Sequence, residues 1–336
     1  MRDVVVDIAA KRAALAPDRV AMEDLSTGAT VTYAQFNDRA ARVARLLTEE
    51  GVTPGERVGV LCRNRVEFFE VLFACAKLGA IMVPLSWRAP TAELNGLGAD
   101  STPTLIFHGK EDTESAVALN VSRRIGFDED YAARVNDAQP LDHRAFWPSD
   151  DCWYLIYTSG TTGAPKGVIQ TYRMAMANYV NIRQAIDLRG DDVTLNFLPL
   201  YHTAGINLHT LPVFIAGGKS LVASAFDANT MFDALANRKL DVIFAVPAVY
   251  QQLALHPRFA SADLARAQLG LWRGAVAGCP RGNLSEEERA RAERHGHDRD
   301  RPDCVSGDAG TRMGQDRDGW APTDSDRRAH RRRRWR

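Results

Sequence analysis

The stretch "YTSGTTGAPKGV", Tyr157 to Val168, holds hydroxyls at Thr158, Ser159, Thr161 and Thr162, glycines at Gly160 and Gly163, and one lysine, Lys166. Gly160 and Gly163 let the backbone turn sharply and bring its N–H groups close to an anion. The hydroxyls add donors, and Lys166 adds a mobile positive charge that phosphate oxygens recruit. The pattern reads as a phosphate cradle, with a polar hairpin loop as the alternative on composition alone. It is not a Walker A loop, because no Ser or Thr follows Lys166 to hold Mg2+, which argues against a P-loop nucleotidase. A second candidate is "LPLYHTAG", where His202 and Thr203 precede Gly205; imidazole titrates near neutral pH, although a lone histidine is more often structural.

These residues need elements to hold them. "TYAQFNDRAARVARLLTEEG" has capping-box spacing at Thr32 and Gln35, a helical face at Phe36, Ala40, Val43 and Leu47, and Gly51 as a terminator. "RVGVLC" reads as a buried strand, "EFFEVLFACAKLG" as a helix and "AIMVPL" as a strand again. "TLIFH", "WYLIYTS", "VTLNF", "SLVA" and "DVIFAV" are further apolar runs, with "YRMAMANYVNIRQAIDL" and "NTMFDALANRKL" as the clearest helices between them. Such alternation predicts an α/β fold of layered, largely parallel sheets covered by helices. The segment from Glu111 to Pro148 is polar and without period, and is expected to cross the surface between two sheet layers.

With 336 residues, 45% of them hydrophobic, the chain can bury one large core or two moderate ones. A formal net charge of zero shows no overall preference for nucleic acid or anionic membrane. The five cysteines, Cys62, Cys75, Cys152, Cys279 and Cys304, include no C-x-x-C pair, which suggests a reducing cytosol. The N-terminus has no secretory h-region, and "VLFACAKLGAIMVPL" is too short to span a bilayer and contains Lys77. A cytoplasmic protein without a membrane span is the expectation.

"YTSGTTGAPKGV" resembles the phosphate-binding signature of the adenylate-forming enzymes, which include acyl-CoA synthetases, peptide-synthetase adenylation domains and luciferases. "TYAQFNDRAARVARLL", "FEVLFACAKLGAIMVPLSWR", "LNFLPLYHTAGI", "AVPAVYQQL" and "LWRGAVAG" resemble further segments of the same family, together covering most of residues 20 to 278. The resemblance implies that Thr158, Ser159, Gly160, Thr161, Thr162, Gly163 and Lys166 hold the β- and γ-phosphates of ATP. It implies that His202, Thr203 and Gly205 lie at the acyl and carboxylate pocket, and Gly274, Ala275 and Gly278 against adenine or acyl group. The implied reaction has two steps: a carboxylic acid and Mg·ATP give an acyl-adenylate and pyrophosphate, and coenzyme A then displaces AMP. The sequence around His202 is more similar to free-standing acid–CoA ligases than to peptide-synthetase modules. The alternatives are a non-catalytic nucleotide- or acyl-binding protein and another adenylate-forming enzyme. No metal ligands are assigned, and fatty, aromatic and alicyclic acids all stay open.

Beyond Gly278 the resemblance stops, and aspartate and arginine alternate with almost no aliphatic residue and no lysine. Such a segment cannot bury enough apolar surface to offset its conformational entropy and is expected to be disordered. "RRRRWR" would suit a nucleic-acid arm. Cys279, His295, His297 and Cys304 have spacing that matches no common zinc site. The family's next motifs, "Y-G-M-T-E-T" with its Mg2+ glutamate and "K-I-G-T-V-G-R-P", are absent in frame. Read one nucleotide out of register, Gly296 to Val305 permits G-M-T-E-T-G-P-T-V, and Asp316 to Thr323 permits I-G-T-V-G and R-P in order. The expected organisation is therefore an incomplete N-terminal AMP-binding domain over 1–278 and out-of-frame coding sequence over 279–336. The lysine-bearing lid is then missing, and truncation is expected to leave the chain inactive.

Overall fold

A computed structural model of the chain describes residues 3–142, 145–158, 165–236, 240–261 and 268–271. The chain opens with β1 (Val4–Val6), α1 (Ile8–Leu15), a hairpin of β2 (Val20–Asp24) and β3 (Thr30–Thr32), and α2 (Tyr33–Glu49). Alternating units follow: β4 (Arg57–Leu61), α3 (Val66–Leu78), β5 (Ile81–Leu85), α4 (Thr91–Ser101) and β6 (Leu105–His108). Next come α5 (Thr113–Ala118), β7 (Arg124–Gly126), α6 (Tyr131–Asp137), β8 (Phe146–Pro148), β9 (Cys152–Thr158), β10 (Lys166–Thr171) and α7 (Tyr172–Ile186). The last stretch holds β11 (Val193–Asn196), a π-turn (Ala204–Leu208), α8 (Thr210–Ala216), β12 (Lys219–Val222), α9 (Ala228–Ala236), β13 (Val242–Ala245), α10 (Pro247–Ala254) and β14 (Gln268–Leu271).

Two six-stranded sheets form the frame, in orders β10-β9-β5-β4-β6-β7 and β14-β13-β11-β12-β2-β3. In each, only one terminal strand runs antiparallel: β10 against β9, and β3 against β2. The expected α/β architecture is present. Helix α2 starts with the predicted capping box: Gln35 N–H donates to Thr32 Oγ1 at 3.2 Å, and Thr32 N–H donates to Gln35 Oε1 at 2.9 Å. It ends ahead of Gly51, whose φ of 80° is the left-handed conformation that stops a helix. Helix α3 is buried all round, including Glu70 and Lys77, because it lies between the two sheets. One continuous core joins Met22 and Val222 of the second sheet to Val58, Val60 and Trp153 of the first through Phe36 and Phe73. Phe73 lies 4.7 Å from Phe214 and 5.3 Å from both Phe36 and Trp153 between ring centroids.

Lys77, predicted only as a break in an apolar run, pairs with Asp7 at 2.7 Å and donates to Asn37 Oδ1 at 2.7 Å. The Glu111–Pro148 segment differs from its expectation. Instead of crossing between layers it extends the edge of the first sheet, with β7 parallel to β6, and buries Tyr131 and Trp147. Its elements are three to seven residues long, too short for a hydrophobic period to be read. Among the described residues no helix is long and apolar enough to cross a membrane. Cys62 and Cys75 are buried and Cys152 half-buried, all as free thiols.

Candidate active site

In open α/β sheets, ligands bind outside the carboxyl ends of the strands where the strand order reverses. In the second sheet β12 lies on one side of β11 and β13 on the other, so the reversal falls between β11 and β13. Those two strands bridge at a single pair, Thr194 and Val242, leaving the carboxyl end of β11 to diverge. The segment that leaves there is "FLPLYHTAG".

Hydrogen bonds fold this segment into a closed turn. His202 N–H donates to the Pro199 carbonyl at 3.1 Å, and Gly205 N–H donates to the His202 carbonyl at 3.1 Å. Asn196, at the end of β11, donates through Nδ2 to the Gly205 carbonyl at 2.9 Å and to Thr210 Oγ1 at 2.5 Å. Asn64, just past the end of β4, donates to Asn196 Oδ1 at 2.7 Å and to the Leu198 carbonyl at 2.8 Å. The two sheets are thus joined by buried amides at the site. Gly205 has a packing reason of its own: a Cβ would sit 2.7 Å from the Leu198 carbonyl oxygen and the Pro199 carbonyl carbon, and closer still to the Pro199 oxygen.

His202 is exposed on this turn, its ring 4.7 Å from that of Tyr201. Partial desolvation and the positive charge of Arg88 both lower its pKa, so the imidazole is neutral at neutral pH. Arg63 and Arg88 set their guanidiniums 4.3 Å and 4.6 Å from the Trp87 ring centroid, and Trp87 meets Tyr201 edge-on at 6.3 Å. These three residues were missed from sequence. The signal for them was position: Arg63 stands two residues past β4, and Trp87 and Arg88 two and three past β5. His209, also unpredicted, is buried behind the turn against Phe244, and burial lowers its pKa to about 4.

Thr158 closes β9 and Lys166 opens β10, directly opposite each other and both exposed. The two described ends of the signature therefore pair across an antiparallel hairpin, at the carboxyl end of β9 in the first sheet. Ser159, Gly160, Thr161, Thr162 and Gly163 lie outside the described residues, as do Gly274, Ala275, Gly278 and the whole of 279–336 with its cysteines and histidines. The hairpin is tied to helix α4 by Tyr157, whose phenol donates to Asp100 at 2.6 Å. It is fixed to the His202 turn by Asn207, whose Nδ2 donates to Gln170 Oε1 at 3.3 Å and to Thr203 Oγ1 at 2.9 Å. A separate cleft of about 800 Å3 opens where β4 and β6 end, but its charges largely satisfy each other. Arg39 binds Glu70, and Arg65 binds both Glu67 and Asp128.

Two layered, largely parallel sheets, a hairpin whose facing ends are Thr158 and Lys166, and a histidine turn at a strand-order reversal define an α/β protein with a candidate ligand site. The family model for AMP-binding enzymes matches residues 9–293, and the chain belongs to that family. It is 37% identical over 267 residues to a feruloyl-CoA synthase of Amycolatopsis, covering 79% of this chain and 53% of that protein. The long-chain-fatty-acid–CoA ligase FadD13 of Mycobacterium tuberculosis is 32% identical over 263 residues, covering 75% of this chain and 52% of that protein. An inhibitor-bound structure of the N-terminal domain of FACL13 from Mycobacterium tuberculosis superposes with a TM-score of 0.75 at 28% identity, covering 88% of this chain and 74% of that one. The chain spans about half the length of the curated relatives it matches.

Proposed function

We propose that this chain carries the nucleotide- and acid-binding half of an ATP-dependent acid–CoA ligase. The observation that carries the reading is the placement of the two motifs: Lys166 and Thr158 on one hairpin, the neutral His202 on one turn, and the two joined through Asn207. In this reading Thr158, Ser159, Gly160, Thr161, Thr162, Gly163 and Lys166 hold the β- and γ-phosphates. His202, Thr203 and Gly205 border the acid, and Gly274, Ala275 and Gly278 lie against adenine or acyl group. The activities of the relatives, a feruloyl-CoA synthase and a long-chain fatty acid ligase, support an acid–CoA ligase without choosing the acid.

The chemistry assigned to these residues is electrostatic. A carboxylate oxygen of the acid attacks the α-phosphorus of ATP, the α–β bridging P–O bond breaks, and pyrophosphate leaves with the electron pair. Lys166 and the loop N–H groups offset the charge gathering on that leaving group. A neutral His202 does not compete with them for the phosphates and can donate one N–H to the acid carboxylate. Coenzyme A thiolate then takes the acyl group and AMP departs. Among the described residues no three His, Cys, Asp or Glu side chains converge as a metal site. In this reading Mg2+ would arrive on the nucleotide phosphates. The AMP-binding domain is assigned to residues 1–278, and the family match runs on to residue 293.

The test is equilibrium binding of Mg·ATP to the purified chain, with acid-dependent exchange of labelled pyrophosphate into ATP measured alongside over ferulate, fatty and alicyclic acids. Saturable binding that weakens about 10- to 100-fold in Lys166→Ala is expected, the loss of one charge-assisted phosphate contact. Absence of saturable binding by the unaltered chain refutes the reading. Binding without exchange for any acid limits the chain to the non-catalytic alternative.

A further inference from the structure

We infer that Asn207 is a positioning residue that couples the two halves of the candidate site, so that nucleotide on the hairpin tightens the His202 turn. The inference rests on the functional reading above and assigns a regulation to the same site.

Asn207 lies in the π-turn Ala204–Leu208, a rare backbone form that tends to mark functional positions. It is buried, yet its side chain and carbonyl meet three other elements as well as the start of its own turn. Tyr154 of β9 donates its phenol to Asn207 Oδ1, and burial raises the Tyr154 pKa, which keeps that proton in place. Nδ2 donates one hydrogen to Gln170 of β10 and the other to Thr203, the neighbour of His202. The Asn207 carbonyl accepts from Asn178 Nδ2 of α7 at 2.5 Å. Both side-chain donors and the side-chain acceptor are therefore used. A buried amide in that condition holds its partners in one arrangement, because moving one strand alone leaves a desolvated donor unsatisfied.

The chain positions say what is coupled. Gln170 shares β10 with Lys166, and a strand moves as a unit over four residues. Thr203 adjoins His202, whose carbonyl closes the turn on Gly205. Phosphates that draw Lys166 inward displace Gln170, and through one amide group displace Thr203. By linkage the effect is reciprocal: an acid that orders the His202 turn favours the same hairpin position. An apolar residue at 207 could fill the space but could not transmit the displacement. The weakest link is Asn207 to Gln170 at 3.3 Å, which makes it the place where the relay can be cut without emptying the core.

The experiment is hydrogen exchange read by mass spectrometry on the whole chain, with and without a saturating non-hydrolysable ATP analogue and Mg2+. In the unaltered chain, exchange should slow both across 158–171 and across 203–208, the latter by about fivefold or more, the low end of ordinary coupling between sites. Gln170→Leu and Thr203→Val, at half-buried and exposed positions respectively, should each keep the slowing across 158–171 and reduce that across 203–208 to less than about twofold. Gln170→Glu keeps an oxygen acceptor for Asn207 and should restore the coupling, a rescue that a packing role would not require. Unchanged slowing across 203–208 in Gln170→Leu, or none there in the unaltered chain despite slowing at 158–171, overturns the coupling alone. No slowing across 158–171 in the unaltered chain overturns the nucleotide reading and this inference with it.

Discussion

Gly205→Ala tests the packing of the His202 turn. The added methyl would meet the Leu198 and Pro199 carbonyl groups at 2.7 Å or less. Those carbonyls are held in place: Leu198 O accepts from Asn64 at 2.8 Å, and Pro199 O accepts from His202 N–H at 3.1 Å. The Gly205 carbonyl itself accepts from Asn196 at 2.9 Å and Thr210 at 3.1 Å, so the glycine cannot back away without breaking buried bonds. Overpacking in cores costs about 1–3 kcal/mol, and a clash with hydrogen-bonded backbone belongs at the top of that range. About 3 kcal/mol corresponds to a fall of roughly 6–12 °C in Tm for a unit of this size. The matched control is Gly96→Ala, in the exposed face of α4 with nothing within 4 Å of its new methyl. There the helix gains roughly 0.5–1 kcal/mol from the lost backbone freedom of the unfolded chain. Thermal and urea unfolding of both variants gives the comparison. A Gly205→Ala protein as stable as the unaltered chain would show that the turn yields freely, and would remove the packing reason for glycine there.

Three other outcomes follow from buried side chains. His209 has its pKa lowered to about 4 by burial, so between pH 6.5 and 4 the unfolded chain takes up a proton that the folded chain refuses. Stability should be full above pH 6.5 and fall with pH, by up to about 3 kcal/mol near pH 4; His209→Gln should lack that part of the loss, and parallel curves for the two proteins refute the assignment. Arg39→Met strips the guanidinium from Glu70, which is 1% exposed and also accepts from Tyr131 at 2.7 Å. A cost of about 3–5 kcal/mol is expected at neutral pH. Urea unfolding at pH 7 gives the measurement, and a deficit below about 1 kcal/mol refutes the cost assigned to the unpaired Glu70. Phe73→Ala, at the centre of the ring cluster, should cost about 3–5 kcal/mol by urea titration, and a cost under 1 kcal/mol means the core is not continuous there.

The parts of the fold legible in sequence were those written in neighbouring residues. The Thr32–Gln35 box, the largely apolar α3 and the strands β4, β5, β6, β9, β11, β12 and β13 stand where their patterns placed them, because a period of two or 3.6 is complete within one element. The glycine, hydroxyl and lysine signature and its hairpin alternative were equally local, and Thr158 and Lys166 close that hairpin. Glu111–Pro148 was illegible because its elements, three to seven residues long, are too short to repeat a hydrophobic pattern.

The site was legible only as two separate motifs, a signature of glycines, hydroxyls and one lysine and a histidine turn, whose proposed chemistry comes from residue types alone. Tertiary structure decided that the strand carrying Lys166 is bonded to the histidine turn. Asn64 and Asn196 are 132 positions apart and share one hydrogen bond, while Asn207 reaches back 37 positions to Gln170 and 53 to Tyr154. Nothing in a window of sequence distinguishes these asparagines from surface ones, since an amide becomes a junction only when burial removes water and leaves protein groups as its partners. The same holds for His209, neutral because it is buried, and for Gly205, glycine because two carbonyls fill the place of its side chain.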